Sequence, residues 1–335
     1  MVRSTVTIII PNYNHANYLP QRIDSVLKQT YQQFEILLMD DCSQDDSRLV
    51  IADYANRDPR IKILLNEQNS GSTFKQWNKG IALAEGEYIW IAESDDAAAP
   101  TFLEKLVTIL EDNPAAGLAY CQSWRIDENG QQHGSWAPVM AELDANLWQH
   151  DFVLPGSDLV RRFMVNSNIV PNASAVLMRR SALKAVGPAP ETMRIAGDWV
   201  FWVRYMMTTK VAFVAESLNY FRFHQHNVRS NTEHDGTQLL EIAQAMKFVK
   251  AQVQPEPVLY QKTISQMMQR WFRAIIYYKM TRTRHVQFVQ AMSEVEPSFK
   301  KLAARAFVRF LYHNKFSGMR MLIGDKLLGR AHRTT

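Results

Sequence analysis

The sequence predicts an α/β protein, with a mostly parallel sheet flanked by helices and a C-terminal helical subdomain. Two observations predict this fold class. Short apolar segments alternate with segments of helical periodicity through the first 125 residues, and helical patterns dominate from residue 238 onward. Neighbouring parallel strands need a crossover connection, usually a helix, so the alternation is typical of a parallel sheet covered on both faces.

Five apolar segments of the first part predict buried strands, because each is short and rich in β-branched or aromatic side chains. They are Val6–Ile10, Phe34–Met39, Ile61–Leu65, Tyr88–Ala92 and Leu118–Trp124. Pro11 predicts the end of the first strand, since a proline nitrogen cannot donate a hydrogen bond to a sheet.

Helices are predicted between these strands, where apolar residues recur every three or four positions. Phe74, Trp77 and Ile81, for example, share one face of a helix. Ser43, followed three positions later by Asp46, resembles a capping box and predicts the start of the helix after the second strand.

The second half is less regular and then becomes helical. The predicted elements are a strand at 175–178, a helix at 197–209, strands at 211–214 and 218–224, and helices at 238–251, 257–281, 284–293 and 298–313. We therefore predict a first domain over residues 1–236, in two halves that meet near residue 125, and a basic helical region over 237–335.

Charge is distributed unevenly along the chain. The whole sequence carries 38 Lys and Arg against 33 Asp and Glu, whereas residues 237–335 carry 17 against 5. A basic amphipathic region suits an anionic membrane surface. It is also compatible with a helical bundle whose charges are merely solvated and which packs on the first domain or on a partner subunit, such as a second copy of the chain. No recognised nucleic-acid-binding motif accompanies the basic residues, so no nucleic acid is expected as a partner.

Composition excludes several classes of protein. Hydrophobic residues make up 47% and charged residues 21%, which excludes a disordered chain. Two cysteines cannot form a disulfide framework, and no apolar run approaches the ~18–20 residues that cross a bilayer. We therefore expect a cytoplasmic protein that is soluble or peripheral on the inner face of the membrane. The sequence has no GxxxxGK[ST] and no GxGxxG after the first strand, which weighs against ATP hydrolysis and dinucleotide redox chemistry.

Polar clusters follow three of the predicted strands at the edge where parallel α/β sheets bind ligands. Glu93-Ser94-Asp95-Asp96 follows the fourth strand, and three carboxylates so close together repel one another. A hard divalent cation such as Mg²⁺ or Mn²⁺ would relieve that repulsion. An acidic turn that only caps the next helix is the alternative interpretation.

The other two clusters suit a nucleotide. Asp40 and Asp41 follow the second strand, where a carboxylate can accept hydrogen bonds from a base or from ribose hydroxyls. Tyr13, in the loop after the first strand, offers an aromatic face for a nucleobase. Helix capping and an ordinary loop tyrosine are the alternatives.

Several motifs in order resemble glycosyltransferase family 2, whose members are inverting, nucleotide-sugar-dependent enzymes of the GT-A type with a Rossmann-like sheet. The resemblance is strong over residues 4–115 and weaker to about residue 230. The matching segments are Ile-Ile-Pro-Asn-Tyr-Asn (9–14), Gln-Thr-Tyr (29–31), Glu35 to Ser43, Asn-Ser-Gly (69–71), Trp-Asn-Lys-Gly (77–80), Ala-Glu-Gly-Glu-Tyr-Ile (84–89) and Glu-Ser-Asp-Asp (93–96).

The resemblance implies roles for individual residues of the first half, which would be the nucleotide-binding half of the catalytic domain. Tyr13 would stack on the base, Asp41 would hold it, and Asp40 would aid the ribose. The remaining residues assigned to the nucleotide pocket are Pro11, Lys75, Asn78 and Asp95. Asp95 and Asp96 would form the metal and diphosphate motif, with Mn²⁺ or Mg²⁺ as cofactor. Glu93 stands where the family often has Asp, and is not assigned to the metal.

The second half would bind the acceptor and supply the base. Asp198 opens a predicted helix and resembles the catalytic base of the family, which takes the proton of the acceptor hydroxyl. A helix N-cap is the alternative for Asp198. Trp199 and Trp202 are assigned to the acceptor, although one of the two is expected in the core.

The segment 220–224 is assigned to the donor diphosphate. Arg222 would pair with phosphate oxygens and His224 would ligate the metal. His226 shares their strand face and rivals His224, and a merely polar strand face is the alternative for all three.

These expectations converge on a hexosyl- or N-acetylhexosaminyl-transferase that acts on a UDP-sugar and a glycan or lipid-linked glycan, as in the synthesis of cell-surface polysaccharides. Two alternatives stay open. One is a nucleotidyl- or phosphotransferase that uses the same carboxylates and metal. The other is a non-catalytic protein that binds sugar nucleotides for assembly.

Overall fold

The structure is a computed structural model that describes residues 5–224, 235–277 and 279–327. The chain forms two compact units. The first comprises Met1–Val160 and Asn168–His224, and the second comprises Arg161–Ser167 and Gln225–Thr335. The predicted domain boundary between residues 236 and 237 stays a prediction.

One mixed sheet organises the first unit. Its strands are β1 (Val6–Asn12), β2 (Phe34–Asp40), β3 (Ile61–Leu65), β4 (Tyr88–Ile91), β5 (Ala97–Ala98), β6 (Ala116–Ile126), β7 (Gln132–Ser135), β8 (Phe152–Pro155), β9 (Val176–Arg179) and β10 (Lys210–Arg222). The order is β3-β2-β1-β4-β9-β6-β10-β5, with β7 beside β6 and β8 beside β10. The long pairings, among β1 to β4 and between β6 and β10, are parallel, which confirms the predicted fold class.

One set of helices covers this sheet, and another set forms the second unit. In the first unit they are α1 (Leu19–Leu27), α2 (Ser47–Arg57), α3 (Thr73–Leu83), α4 (Phe102–Asp112), α5 (Ala137–Ala141), α6 (Gly156–Leu159), α7 (Leu183–Val186) and α8 (Gly197–Met206). In the second unit they are α9 (Thr237–Gln252), α10 (Pro257–Tyr277), α11 (Arg282–Val295) and α12 (Phe299–Met321). Among the described residues, no helix combines the length and the apolar character that a membrane span requires.

The hydrophobic core explains why the predicted strands form. Ile8, Ile10 and Trp90 are fully buried in the sheet, and the Trp90 ring stacks on Phe102 of α4 with their centroids 4.4 Å apart. The central strands are buried on both faces, as expected where helices cover both sides of a sheet.

Two predictions of the sequence are wrong in detail. Pro11 does not end β1, because the strand continues to Asn12 and Pro11 sits in parallel register with Met39 of β2. The two strands predicted at 211–214 and 218–224 are one strand, β10, whose register against β6 shifts between Val214 and Ser217 and again before Asn219. A bulge of this kind bends a strand without ending it.

The strand order brings the polar clusters together. Since β1 lies between β2 and β4, and all three run parallel, the segments that follow them leave the sheet at the same edge. Asp41 extends this pattern, because its backbone N–H donates to the carbonyl of Asn12 at 2.9 Å.

Candidate active site

Asp40 is a buried carboxylate that accepts hydrogen bonds from three surrounding residues. It accepts hydrogen bonds from Asn12 Nδ2 at 3.0 Å, from the Ser43 backbone N–H at 3.0 Å and from Arg48 Nε at 2.9 Å. Burial alone would raise the pKa of Asp40, but the bonds from Ser43, Arg48 and Asn12 outweigh it and the pKa lies below its usual value. Asp40 is therefore ionised, and it fixes the start of the loop after β2.

Asp41 faces the loop before α3. It accepts from Asn66 Nδ2 at 2.6 Å, from the Ser70 N–H at 2.9 Å and Oγ at 2.7 Å, and from Gln76 Nε2 at 2.9 Å. Tyr13, in the loop after β1, keeps 44% of its surface exposed. At this edge of the sheet, the exposed Tyr13 ring can stack on a flat group, and the Asp41 carboxylate can accept hydrogen bonds from the N–H donors of that group.

The other residues assigned to the nucleotide lie around this region. Lys75 is exposed on α3, and its Nζ donates to the Ser70 carbonyl at 3.1 Å. Pro11 is buried within β1. Asn78 donates to the Ala189 carbonyl at 3.0 Å and to Glu191 Oε1 at 2.9 Å, so it joins α3 to the segment before α8.

Glu93 begins the acidic segment after β4. Its Oε1 accepts from Trp77 Nε1 at 2.6 Å, and its backbone carbonyl accepts from Arg22 Nε at 2.8 Å. Burial and the nearby charge of Asp95 raise the pKa of Glu93 to about 8. Glu93 is therefore largely protonated at neutral pH when no cation is bound.

Asp96 lies deeper, among fixed donors. Its carboxylate accepts from the side chain of Asn172 and from the Arg222 backbone N–H at 2.9 Å, and Arg22 lies 3.9 Å away. Burial and the charge of Asp95 raise the pKa of Asp96 to about 7. These contacts make Asp96 a buried anchor of the segment and leave it outside the metal-capable group described below.

Arg22, which the sequence analysis did not single out, neutralises part of this charge. It is fully buried, donates to Ser174 Oγ at 3.1 Å and lies over the Trp90 ring at 5.5 Å. Burial lowers the pKa of Arg22 to about 10, so it stays cationic at neutral pH. A basic residue on the buried face of α1, between Leu19 and Ile23, was the available signal.

His15, Asp95 and His224 form a group that could hold a metal ion. One ligand atom from each lies within 4.8 Å of the others. His224 Nε2 lies 3.1 Å from Asp95 Oδ2, and His15 Nδ1 lies 2.8 Å from Ser94 Oγ. The structure thus brings together Asp95 and His224, both assigned to the metal, and adds His15. The rival His226 lies outside the described residues.

The electrostatics of this group are coupled. Burial would raise the pKa of Asp95, but the hydrogen bond from His224 and the charges of His15 and His224 hold it below its usual value. Burial lowers the pKa of His15 against the opposing charge of Asp95. An ionised carboxylate beside a largely neutral imidazole is the protonation state that metal ligation requires.

Arg222 binds protein groups with its whole guanidinium. Its Nε donates to the Asp95 carbonyl at 2.6 Å and one terminal nitrogen to the Asp127 carbonyl at 2.6 Å, while the other contacts the Gln21 side chain. The guanidinium also lies 4.8 Å from the Tyr18 ring centre. Arg222 therefore fixes the backbone of the acidic segment in this structure, and these contacts occupy the donors that the sequence assigned to phosphate.

Asp198 lies in the first turn of α8 and is tied to the loop before β9. Asn168 Nδ2 donates to Asp198 Oδ2 at 3.1 Å, and the Asn168 Oδ1 accepts from the Val170 N–H at 3.2 Å. The second bond sets the orientation of the amide. Four residues later on the same loop, Asn172 donates to Asp96. One short loop thus contacts both the proposed base and the acidic segment.

The two tryptophans assigned to the acceptor are buried. Trp202 is fully buried, and its ring centre lies 6.1 Å from that of Trp77. Trp199 is also buried. Trp202 therefore belongs to the core of the first unit, where it links α8 to Trp77 and so to Glu93, rather than to a surface that a sugar could contact.

The family is shown by the sequence of the first unit. The family model described as glycosyl transferase family 2 matches residues 7–187, more than half of the chain. The chain belongs to this family, as the sequence analysis predicted. The description of the family is that of glycosyl transferases, which is the predicted class of enzyme.

Individual relatives and solved structures agree. An uncharacterised glycosyltransferase of Nostoc is 30% identical over 66% of each chain. The crystal structure of S. aureus TarS 1-349 in complex with UDP-GlcNAc has a TM-score of 0.64 and 17% identity over 98% of this chain and 93% of that one. A Pyrobaculum calidifontis mannosyltransferase in complex with GDP-Man and Mn²⁺ has a TM-score of 0.59 and 14% identity, over 99% and 89%. These likenesses confirm the fold.

The alignments with the curated relatives cover only part of each relative. The chain spans between 36% and 66% of the first three relatives that it matches.

Proposed function

We propose that this chain is an inverting glycosyltransferase that moves a hexosyl or N-acetylhexosaminyl group from a UDP-sugar to a glycan or lipid-linked glycan. The observation that carries the proposal is the loop 168–172, which lies within the residues that the family 2 model matches and contacts both the acidic segment after β4 and Asp198, eleven residues beyond the match. A direct displacement requires a general base and a site for the charged leaving group, and here one loop contacts the residues proposed for both.

The donor nucleotide would bind at the carboxyl ends of β1 and β2. Tyr13 stacks on the base, and Asp41 accepts from the N–H of the base, with Asp40, Pro11, Lys75 and Asn78 around them. The TarS structure, which holds UDP-GlcNAc, supports a UDP donor. The Pyrobaculum enzyme holds GDP-Man, so the choice of base is part of the test.

A divalent cation, Mn²⁺ or Mg²⁺, would be held by Asp95 and His224, with Asp96 behind them. The donor set fits, because the ligand atoms of His15, Asp95 and His224 already lie within 4.8 Å of one another. When bound, the cation offsets the charge that develops on the departing nucleoside diphosphate. Arg22 and Arg222 keep the acidic segment in place.

Asp198 would act as the general base. Its carboxylate takes the proton of the acceptor hydroxyl while that oxygen attacks the anomeric carbon and the bond to the diphosphate breaks, which inverts the configuration. The N-terminus of α8 favours the ionised carboxylate, and the hydrogen bond from Asn168 directs it.

Replacing Asp198 by Asn tests this proposal. We expect transfer to fall about 10²–10⁴-fold, the usual contribution of a general base, while calorimetry shows unchanged nucleotide affinity. Asp53→Asn is a matched control, because Asp53 is an exposed residue in the middle of α2 whose side chain pairs with Arg57 of the same helix. A UDP- and GDP-sugar panel, with NMR of the product anomer, identifies the donor and the stereochemistry. Transfer by D198N near the wild-type rate, or diphosphate release from a nucleoside triphosphate without sugar transfer, would contradict the proposal.

We also propose that the basic helical region contacts an anionic membrane on the cytoplasmic side. Helix α12 contains no Asp or Glu, and Val308 and Tyr312 are more than half exposed. Its exposed basic residues are Lys300, Lys301, Arg305, Arg309 and Arg320. An exposed apolar pair among cations suits anionic headgroups.

Vesicle cosedimentation tests this contact. We expect binding to phosphatidylglycerol vesicles, no binding to phosphatidylcholine vesicles, and loss of binding in Arg305→Glu/Arg309→Glu. Lys28→Glu/Lys184→Glu, which reverses two exposed charges in the first unit, is the control. Equal sedimentation of both double variants would remove the proposed role of α12.

A further inference from the structure

We propose that His15 is a third protein ligand of the divalent cation, and that the cation therefore binds to the free protein before the nucleotide sugar arrives. This inference rests on the metal site of the proposed function. It adds a residue from outside the acidic segment and an order of binding, and both can be measured without sugar transfer.

The first argument is geometric. His15, Asp95 and His224 come from three separate parts of the chain, yet one ligand atom of each lies within 4.8 Å of the others. Metal–ligand distances of about 2.0–2.2 Å place any two ligands of one ion within about 4.4 Å. The three side chains therefore need to move little to share a cation.

The second argument is that the backbone of His15 is fixed. The carbonyl of His15 accepts hydrogen bonds from the backbone N–H groups of Tyr18 and Leu19, each at 2.9 Å, as α1 begins. The preceding residue, Asn14, adopts a left-handed conformation with φ of 55°, and its side chain accepts from the Gln44 N–H at 2.7 Å. This turn directs the His15 side chain toward the end of β4.

The third argument concerns orientation of the rings. Ser94 Oγ lies 2.8 Å from His15 Nδ1, and the Tyr18 ring packs against both imidazoles, with centroids 5.8 Å from His15 and 5.2 Å from His224. A hydrogen bond and an aromatic contact of this kind orient a metal-ligating histidine. The two imidazoles are thus held before any ion is present.

The consequence follows from ligand number and type. A cation held by one or two carboxylates usually depends on substrate phosphates to complete its shell, as Mg²⁺ does. Two imidazoles and a carboxylate give three protein ligands, a nitrogen-rich set that suits transition ions better than Mg²⁺, with Mn²⁺ the weakest-binding ion of the first-row series. The free protein therefore binds Mn²⁺ without UDP, and binds Mg²⁺ much more weakly.

Electron paramagnetic resonance of Mn²⁺ in the nucleotide-free, full-length protein tests the inference. Wild type should bind one Mn²⁺, and electron spin-echo modulation should show coupling to the nitrogens of two histidines. His15→Ala should bind Mn²⁺ at least tenfold more weakly, should show one histidine, and should regain most of the lost affinity when UDP is added.

His133→Ala is the matched control, because His133 also pairs with a carboxylate, Asp127, at 2.9 Å, but is exposed and outside the cluster. It should bind Mn²⁺ as wild type does. Asp95→Asn and His224→Ala test the site itself and should both lose Mn²⁺.

The outcomes separate the two proposals. Two coupled histidines in wild type and one in His15→Ala establish the ligand, whatever the stability of the variant. If His15→Ala binds Mn²⁺ like wild type while Asp95→Asn does not, His15 is no ligand and the inference fails, but the proposed function stands. If Asp95→Asn also binds normally, the cation lies elsewhere, and both the inference and the proposed metal site fail.

Discussion

Two acidic clusters leave the same edge of the sheet, on either side of β1, and they differ in how their charge is balanced. After β2, Asp40 collects donors from Asn12, Ser43 and Arg48, and its pKa is lowered. After β4, burial and mutual repulsion raise the pKa of Glu93 to about 8 and that of Asp96 to about 7. A strand-end position alone therefore does not define the chemistry of a carboxylate.

The difference in charge balance indicates what each acidic cluster can bind. In the cluster after β2, protein donors balance the carboxylates without a cation. Asp41 Oδ2 accepts one hydrogen bond, from Ser70 Oγ, so it can take a further N–H such as that of a base. In the cluster after β4, the raised pKa values of Glu93 and Asp96 and the buried Arg22 keep the negative charge low when no cation is bound. A divalent cation would favour the ionised carboxylates, so its binding would release protons. The predictions below break or sharpen this contrast.

The largest expected effect separates the two clusters by their roles in catalysis. Asp95→Asn should reduce transfer by roughly 10²-fold or more at saturating donor, because it removes the proposed ligand of a cation that would stabilise charge in the transition state. Asp41→Asn should instead raise KM for the nucleotide sugar about tenfold, with a smaller change in kcat. Steady-state kinetics for both variants decide this, and a KM effect in D95N with unchanged kcat would reverse the assignment.

The next effect concerns stability. Arg22→Met removes the buried cation beside Asp96 together with its hydrogen bonds to Ser174 and to the Glu93 carbonyl, so buried acceptors lose their donor and the free energy of unfolding should fall by about 1–3 kcal/mol for each lost bond. Arg48→Met removes the cation beside Asp40, but Arg48 is partly exposed and other donors to Asp40 remain, so only a small decrease is expected. Urea denaturation of the two variants measures the contrast, and equal losses would refute it.

The pH dependence of the metal-free protein should also distinguish the clusters. Between the unfolded values, 4.5 for Glu93 and 3.8 for Asp96, and the folded values of about 8 and 7, the folded state binds more protons. The free energy of unfolding should therefore fall as pH rises from 5 to 8. The lowered pKa of Asp40 has the opposite sign, since its contribution is present above pH 3.8 and is lost only as pH falls below it.

Glu93→Gln should flatten this slope in thermal unfolding with EDTA present. Glu35→Gln is the control, because Glu35 lies outside the site and hydrogen bonds from Lys62 and Thr7 outweigh its burial and lower its pKa. Asp96 should leave part of the slope in E93Q, but a slope as steep as that of wild type would show that Glu93 is already ionised.

The smallest expected effect concerns the loop before β9, which contacts Asp198. Asn168→Ala removes one hydrogen bond to Asp198, so kcat should fall between two- and about tenfold with KM for the donor unchanged. Asn113→Ala, which removes a bond to the Ile109 carbonyl at the end of α4, should leave kcat unchanged. A change in donor KM for N168A would indicate that the loop serves the nucleotide instead.

Much of the fold could be predicted, because strand and helix periodicities are local. The strands from β1 to β4 were predicted to within two residues at each end, and their shared edge followed from parallel pairing. The bulge that joins 211–214 to 218–222 was not predictable, since it arises from register with β6. The continuation of β1 through Pro11 depends likewise on its neighbour β2.

The site was predictable only where its signal was carried by short motifs. Asp95 and His224 were assigned together and do lie together. The contacts of Arg222 with Asp95 and Gln21 join residues 127 and 201 positions apart, and nothing local in the sequence indicates that those partners occupy its guanidinium. One of Trp199 and Trp202 was expected in the core, but both are buried, and the packing of Trp202 against Trp77 was not predictable for the same reason.

The loop that carries Asn168 and Asn172 also constrains how this chain can diverge. Because its two amides reach separate carboxylates at a fixed spacing, an insertion or deletion between them would break one contact or the other. Relatives that keep both contacts are therefore expected to keep the same number of residues between the two amides.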